Sequence, residues 1–131
     1  MFKIKYKIAY SKIHGSGVFA EENILKGSII WEPDKDGQEI SQQEFDQKSP
    51  AEKEKISFYG FKSKNTGKYY YSVGDIHFIN HSDDGNSTER IAMDSGEGIM
   101  FAKRGIKKGE EITQDYREFE SEEDTKRRGI L

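Results

Sequence analysis

The amino-acid sequence predicts a mainly β fold with one or two short helices. Residues 2 to 10 alternate apolar and polar side chains, which is the period of a half-buried strand. The apolar pieces that follow, at 18–20, 24–25 and 29–31, are short and are separated by glycine or proline, so they fit strands better than helices. Helix-forming residues are concentrated between positions 41 and 59.

The first strand has two chemically distinct sides. One side carries apolar residues and the other carries lysines; the apolar set is Phe2, Ile4, Tyr6, Ile8 and Tyr10. We expect that apolar side to face the interior. A hairpin is predicted where 65–67 (Asn-Thr-Gly) separates 60–62 from 69–73, and further strands are predicted around 91–93 and 98–102.

Helix start signals occur at three places. Ser41 is followed three residues later by Glu44, and Ser49 precedes Pro50, which predicts two helix N-termini between positions 41 and 59. Ser121 is followed by Asp124, so the charged stretch 121–128 is either a surface helix or a flexible tail.

Length and charge limit the classes of function. The 131 residues suit one domain, and we expect residues 1–131 to form it. A net charge of −3 argues against direct binding of nucleic acid. The absence of cysteine excludes disulfides and thiol chemistry. The first residues resemble neither a signal peptide nor a spanning segment, so we expect no membrane association and a soluble, intracellular protein, cytoplasmic or, in a eukaryotic host, nuclear.

A glycine-rich turn lies at residues 15–20. Gly15, Ser16 and Gly17 begin a G-x-G-x-x-A pattern, in which glycines allow backbone amides to approach a ligand closely. Gly27 leaves no room for the long helix of a dinucleotide-binding unit. By itself the segment is most simply a turn between strands.

A polar segment at residues 80–86 follows the apolar residues 76–79. Such a segment is either a surface turn or a site at the mouth of a buried region, because buried Asn80 and His81 need partners. A calcium loop is excluded because Ile91 occupies the position of the bidentate glutamate. The histidines repeat no ligand spacing, so we expect no metal site.

Together with a third segment, 109–116 (Gly-Glu-Glu-Ile-Thr-Gln-Asp-Tyr), these motifs resemble the SET-domain lysine methyltransferases. The order and separation of the three motifs match that family, and the resemblance covers about residues 7–119. Taken singly, the third segment is only a turn and a strand ending in Tyr116. Residues 120–131 are left as a C-terminal lid or tail.

The resemblance implies a SET-domain (β-clip) fold, with several small curled sheets and a C-terminal pseudoknot that brings His81 and Tyr116 together. It implies S-adenosylmethionine as cofactor. Gly15, Ser16 and Gly17 are expected to hold the cofactor's amino-acid end, and Asn80 and His81 its ribose and adenine region. Tyr116 is expected at the junction of cofactor and target amine, as the catalytic residue.

The acceptor channel departs from the family pattern. The usual cysteine and proline after Ser82 are missing, and no channel aromatic follows Asn86. Tyr70, Phe78 and Phe119 are the candidate walls. The expected activity is methyl transfer to a protein lysine, and the alternative is a SET-like module that binds cofactor or peptide without catalysis. Acidic residues near positions 83–89 and 118–124 favour a lysine-containing, basic protein or peptide as partner.

Overall fold

A computed structural model of the chain describes residues 1–33, 37–91 and 98–129. The strands are β1 (Tyr6–Tyr10), β2 (Ser16–Ala20), β3 (Ile29–Trp31), β4 (Gln38–Ile40), β5 (Gly60–Lys62), β6 (Tyr69–Tyr71), β7 (Asn80–His81), β8 (Ser87–Ile91), β9 (Gly98–Ala102) and β10 (Glu111–Gln114). The α-helices are α1 (Gln42–Asp46), α2 (Pro50–Tyr59) and α3 (Glu122–Arg127), and two 3₁₀ turns lie at Asp75–Phe78 and Tyr116–Glu118. The prediction of a mainly β fold with few short helices is confirmed.

Two sheets organise the described residues. The larger sheet has the strand order β1-β2-β10-β8-β9-β3, with β7 also paired to β10. The smaller sheet has the order β4-β6-β5, and its β5–β6 pair is the hairpin that the sequence predicts. Gly67 takes the left-handed conformation (φ 71°) that this hairpin turn requires.

Strand β10 lies at the centre of the larger sheet and pairs with three other strands. It is antiparallel to β2, where Ile112 lies opposite Val18. It is parallel to β7 and β8, where Gln114 lies opposite His81 and Ser87. The last strand therefore joins the first third of the chain to the segment around residue 80.

An apolar cluster of the described residues fills the interior of the larger sheet. Its buried members are Val18, Ala20, Ile24, Ile30, Trp31, Ile79, Met100, Ala102, Ile106 and Ile112. The predicted short strands supply most of them, and the bridge between Ile24 and Ile106 joins two loops over the cluster. Burial of these side chains is the main favourable contribution to folding.

The helices begin where the sequence predicts. The Ser41 side chain accepts a hydrogen bond from the backbone N–H of Glu44, and Ser49 caps α2 in the same way through Glu52. Ser121 caps α3, so the C-terminal stretch is a helix rather than a flexible tail up to Arg127. Asp124 and Thr125 are buried, so α3 is packed against the rest of the molecule.

The first strand differs from its prediction. Strand β1 begins at Tyr6, and Ile8 and Tyr10 are 37% and 83% exposed instead of facing the interior. Phe2, Ile4 and Tyr6 of the predicted apolar side do pack against the apolar cluster, whereas Ile8 and Tyr10 lie farther along the edge strand β1 and are not part of that contact. The strand predicted around 91–93 overlaps the end of β8, while residues 92 and 93 lie outside the described residues.

The segment after β10 continues to the smaller sheet. Glu120 forms a bridge with Ser63, and the backbone N–H of Ser121 donates to the carbonyl of Lys62 at 2.7 Å. The Asp124 carboxylate accepts from the N–H of Lys62, also at 2.7 Å. The two sheets are thus connected through residues 111–124, and a cavity lies between them. Among the described residues, no helix has the length and apolar character needed to cross a membrane.

Gly60 allows close contact between strands β5 and β6 of the smaller sheet. An added Cβ at this position would lie 1.9 Å from the Tyr70 carbonyl oxygen and 2.5 Å from the Tyr71 Cβ. Backbone atoms cannot yield as a flexible side chain can, so a larger residue would push β5 away from β6.

We expect Gly60→Ala to lower the free energy of unfolding by at least about 2 kcal/mol, the range of a steric clash in a packed region. Gly74→Ala is the matched control, since its Cβ would meet only the Ser72 hydroxyl oxygen at 3.5 Å. That variant should change stability by less than about 0.5 kcal/mol. Urea denaturation measures both, and equal stabilities for the two variants would contradict the steric argument.

Candidate active site

A cavity of about 420 Å³ lies between the two sheets. The sequence predicts nine site residues, and seven of them line this cavity: Gly15, Ser16, Tyr70, Phe78, Asn80, Tyr116 and Phe119. Gly17 and His81 are not among the residues that line it. The structure therefore brings together segments that are up to a hundred positions apart in the sequence.

The side chain of Asn80 holds the glycine turn in place. Its amide nitrogen donates to the carbonyls of His14 and Ser16, each at 3.1 Å, and to the Glu111 carboxylate at 2.9 Å. The other Glu111 oxygen accepts from the Ser11 hydroxyl at 2.7 Å. We call Ser11, Asn80 and Glu111 the turn clamp, because together they fix the backbone of residues 11–16.

Gly17 lies in close contact with two side chains of the turn clamp. A Cβ there would lie 2.4 Å from a Glu111 carboxylate oxygen and 3.1 Å from the Ser11 Cβ. Gly15 has φ 45°, in the left-handed region that glycine adopts without strain. The first glycine thus shapes the turn that faces the cavity, and the second leaves room for the carboxylate beneath it.

His81 positions Tyr116 through the backbone. Its Nδ1 accepts a hydrogen bond from the N–H of Tyr116 at 3.1 Å, and its Nε2 lies 2.8 Å from the Asp83 carboxylate. These two partners select the tautomer with the proton on Nε2. The two rings also meet edge to face, 5.4 Å apart. The side chain is therefore an orienting group for Tyr116.

Tyr116 places its hydroxyl at the cavity wall as a hydrogen-bond donor. The hydroxyl donates to the carbonyl of Ile79 in a close contact. Burial raises the pKa of Tyr116 to about 12, although the Arg128 guanidinium, 5.5 Å from the ring centroid, opposes this rise. The phenol is consequently neutral at physiological pH and can orient a neighbouring group, but it does not act as a base.

Aromatic rings form one side of the cavity. Phe61 contacts Phe119 edge to face at 4.6 Å and stacks near Tyr70 at 6.0 Å, and Phe119 lies 5.5 Å from Tyr116. We call Phe61, Tyr70 and Phe119 the aromatic wall. Phe61 was not predicted, and its position in the hairpin opposite Tyr70 is the signal that could have identified it.

Glu120 is a buried carboxylate that the sequence did not single out. It is 2% exposed, and one oxygen forms an ion pair with the Arg128 Nε at 2.7 Å. Burial raises the pKa of Glu120 to about 7, and Arg128 opposes this rise. The other oxygen, Oε2, has no hydrogen-bond partner among the described residues. The Nε2 of Gln114, also on the cavity wall, is likewise unpartnered within the described part of the chain.

The acidic segments near the cavity are balanced by arginines. Asp83 lies 3.3 Å from the Arg117 guanidinium, and Asp84 lies 3.3 Å from that of Arg104. The hydrogen bond from Arg117 holds the pKa of Asp115 below its usual value. No group of three or more potential metal ligands occurs in the described ranges.

The fold and the cavity define a SET-type protein, in which the last strand carries a tyrosine to a glycine turn and an Asn-His pair. The chain belongs to the SET-domain family, because the family model of the SET domain matches residues 15–117. The resemblance predicted from the three motifs is confirmed.

Relatives and solved structures agree with this assignment. An Aspergillus oryzae histone-lysine N-methyltransferase, H3 lysine-4 specific, is 37% identical over 125 residues, which are 91% of this chain and 10% of that protein. A Plasmodium falciparum structure described as a histone methyltransferase is 26% identical, with a TM-score of 0.59 over 87% of this chain and 94% of that chain.

A Chaetomium thermophilum Polycomb Repressive Complex 2 structure, a humanized mutant with a bound inhibitor, gives a TM-score of 0.68 at 24% identity. The match covers 94% of this chain and 16% of that chain, and it supports the fold alone. This chain spans a tenth or less of the length of the first curated relatives it matches.

The raised pKa of Glu120 predicts a pH-dependent stability. The folded protein holds this proton more tightly than the unfolded chain, whose glutamate has a pKa of 4.5. The resulting stabilisation is complete below about pH 4.5 and is lost as the pH rises through 7. In Glu120→Gln this loss is absent.

The unfolding free energy of Glu120→Gln relative to wild type should therefore increase between pH 5 and pH 8, by about 2–3 kcal/mol. Urea denaturation at several pH values measures this difference. The exposed Glu110→Gln serves as control and should show a constant difference. A constant difference for Glu120→Gln as well would mean that its pKa is ordinary.

Proposed function

We propose that the protein is an S-adenosylmethionine-dependent methyltransferase that acts on a lysine side chain of another protein. The observation that carries this proposal is the meeting of the glycine turn, Asn80 and Tyr116 on the wall of one cavity. SET-domain methyltransferases in general use S-adenosylmethionine, and the relatives named above are histone-lysine methyltransferases. Membership of the family and the geometry of the site support the same chemistry.

The cavity fits a cofactor of this kind. Its volume of about 420 Å³ lies within the usual range for small-molecule sites, about 300–1,000 Å³. Gly15 and Ser16 present backbone groups at one part of the wall, and Tyr116 presents its hydroxyl at another.

The residues that would hold the cofactor divide into two sets. Gly15, Ser16 and Asn80 would contact it directly through the cavity wall, and Tyr116 would lie at its reactive end. Gly17 and His81 would act indirectly. Gly17 would leave room for the Glu111 side chain, and His81 would orient Tyr116. When bound, S-adenosylmethionine supplies an activated methyl group on a positively charged sulfur.

The aromatic wall suits the stem of a lysine. Phe61, Tyr70 and Phe119 offer apolar surface along which four methylenes can lie, with the nitrogen directed towards Tyr116. A free lysine has a pKa of about 10.4, and an apolar, poorly hydrated channel lowers it. The protein's main contribution is then to align the amine and to exclude water.

The partner we propose is a lysine-containing basic protein. Charge supports this choice in part: the chain carries a net charge of −3, and Glu123 is exposed at the start of α3. Asp83 and Asp84, by contrast, are already paired with arginines. Histones fit the description, as the names of the relatives indicate for those proteins.

Transfer of a labelled methyl group tests the proposal. Lysine peptides with basic or acidic flanks are supplied at two salt concentrations, after calorimetry has established binding of S-adenosylmethionine. Transfer to the basic peptide supports the function, and a rate advantage that shrinks with salt supports a basic partner. Cofactor binding without transfer would favour the non-catalytic module, and no binding at all would refute both.

We predict that Tyr116→Phe lowers turnover at least about tenfold while cofactor affinity changes little, the pattern of an interaction made mainly in the transition state. The hydroxyl is the only group removed, so the ring contacts remain. Steady-state kinetics and calorimetry provide the two values. Tyr10→Phe, at a tyrosine that is 83% exposed, is the control and should behave as wild type. Unchanged turnover would remove Tyr116 from its catalytic role.

We predict that Asn80→Ala weakens cofactor binding by about 1–3 kcal/mol, because the turn clamp loses its central donor and three acceptors lose a partner. Calorimetric titration measures the affinity, and circular dichroism checks that the variant is folded. Asn65→Ala, in the exposed hairpin turn, is the control. Wild-type affinity in a folded Asn80→Ala protein would contradict the assignment.

A further inference from the structure

Strand β1 leaves one edge of the larger sheet open. It stands at one end of the strand order, and among residues 1–33, 37–91 and 98–129 it pairs with no strand other than β2. The other end of the sheet, β3, is bridged to the N-terminal segment of the same chain, because Phe2 lies opposite Trp31. An open edge presents backbone N–H and C=O groups with which a further strand can pair.

The hydrogen bonds to β2 show which backbone groups of β1 face this edge. The N–H of Ser11 donates to the carbonyl of Gly15 at 2.7 Å, and the N–H of Glu21 donates to the carbonyl of Lys5 at 2.9 Å. Hydrogen-bonded and non-hydrogen-bonded pairs alternate along an antiparallel ladder. The odd-numbered residues of β1, which lie between these two bonds, therefore bond to β2.

The even-numbered residues of β1 turn their backbone groups to the open edge. Two of them, Ile8 and Tyr10, also have exposed side chains, at 37% and 83%. Both side chains stand on the same side of the strand as Tyr6, which packs against the apolar cluster. A strand that pairs with this edge would gain backbone hydrogen bonds and would also cover apolar surface.

We propose that this edge binds β1 of a second copy of the chain. The two strands are antiparallel and Ile8 lies on the two-fold axis, so the larger sheets of the two molecules become continuous. The proposal concerns assembly and is independent of the methyltransferase function proposed above.

The sequence of β1 is complementary to itself in this register. Ile8 faces Ile8 of the second copy, Tyr10 faces Tyr6, and Lys7 faces Ala9. All five residues of β1 are then paired, and no lysine stands opposite another. An axis one or two residues earlier would oppose lysines, and like charges directly opposite each other are destabilising. An axis one or two residues later would leave the start of β1 unpaired.

Pairing of β1 with itself closes the assembly. The contact is isologous and uses the β1 edge of both copies, so growth through this edge stops at two molecules. A strand of five residues buries less than the roughly 800 Å² per partner of a standard interface. We therefore expect a weak dimer whose population depends on protein concentration.

A protected edge without a partner is the competing explanation. The side chain of Lys7 is 57% exposed, and charged side chains on edge strands commonly prevent pairing. Single exposed apolar residues are also ordinary on protein surfaces. The two explanations differ in their consequences. A protected edge remains monomeric at every concentration, whereas the proposed edge forms dimers that depend on the residue at the axis.

Sedimentation equilibrium of the wild-type protein is the first experiment. We expect a monomer–dimer equilibrium with a Kd of about 10–300 µM, the range of a small, transient interface. A monomer at all concentrations up to about 500 µM, well above that range, would overturn the proposal. Species larger than the dimer would overturn it as well, because the two-fold contact does not propagate.

The second experiment places charges on the axis. Ile8→Lys and Ile8→Glu should each weaken association at least about tenfold at low ionic strength, because each new charge faces its own copy. An equimolar mixture of the two variants should recover association, since opposite charges then meet. Leu25→Lys is the matched control, at an apolar residue outside β1 that is 78% exposed, and it should dimerise as wild type does.

The mixture separates the proposed register from general adhesion of an apolar surface. Charged variants that remain dimeric, or a mixture that does not recover association, would show that Ile8 does not face itself. Circular dichroism checks that each variant is folded.

The third experiment uses the absence of cysteine from the chain, so that one introduced thiol reports one position. Opposed residues of a hydrogen-bonded pair have Cα atoms about 5.5 Å apart, within the range that a disulfide spans. Ile8→Cys should therefore form a cross-linked dimer under mild oxidation at least about fivefold faster than Ile13→Cys, at a more exposed residue outside β1. Equal rates would refute the register, and this comparison decides alone if the charged variants do not fold.

Discussion

The pairing of β10 with three strands is the interaction on which the rest of this structure depends. From β10, Glu111 reaches the turn clamp, and the residues that follow the strand bring Tyr116 to the cavity. The side-chain amide of Asn86 pairs with β10 as a neighbouring strand would. It donates to the carbonyl of Glu111 at 2.8 Å and accepts from the N–H of Thr113 at 2.9 Å. Without this register, Glu111 would not reach Asn80 and Tyr116 would not lie beside His81.

The most polar side chains of the motif act chiefly on the protein itself. The side-chain amide of Asn80 donates hydrogen bonds to two carbonyls and a carboxylate. The imidazole of His81 is hydrogen-bonded to the backbone of Tyr116 and to the Asp83 carboxylate. Each group fixes a piece of backbone or a ring in advance of any ligand. This arrangement favours a preorganised site, in which little ordering remains to be done when ligands bind.

The parts of the molecule that could be predicted from sequence are those governed by local chemistry. Ser41 and Ser49 identify helix starts because a cap is a contact between near neighbours, and the hairpin around residues 65–67 follows from its turn residues. The meeting of Asn80, His81 and Tyr116 was predicted only through the family resemblance, since no local rule joins residues so far apart.

Other features depend on which surfaces are buried against other parts of the molecule, and the local sequence does not show this. Tyr10 belongs to a regular alternation and is nevertheless exposed, because its strand lies at an edge. Glu120 stands in a run of acids that resembles a solvated surface, and it is buried because the bridge to Ser63 draws it inside. The sequence pattern predicts ligand approach at Gly17, and it gives no sign that the Glu111 carboxylate and Ser11 lie close to this position.

The central position of β10 also has a consequence for folding kinetics. Its partners lie 27 to 94 positions earlier in the chain, so each of the pairings that β10 makes closes a long loop. Such topologies fold slowly, because the chain loses conformational entropy when the loops close, before the new contacts stabilise the structure. The early strands can collapse first, but the cavity acquires its tyrosine only when β10 inserts, so assembly of the site is expected to coincide with the final folding step.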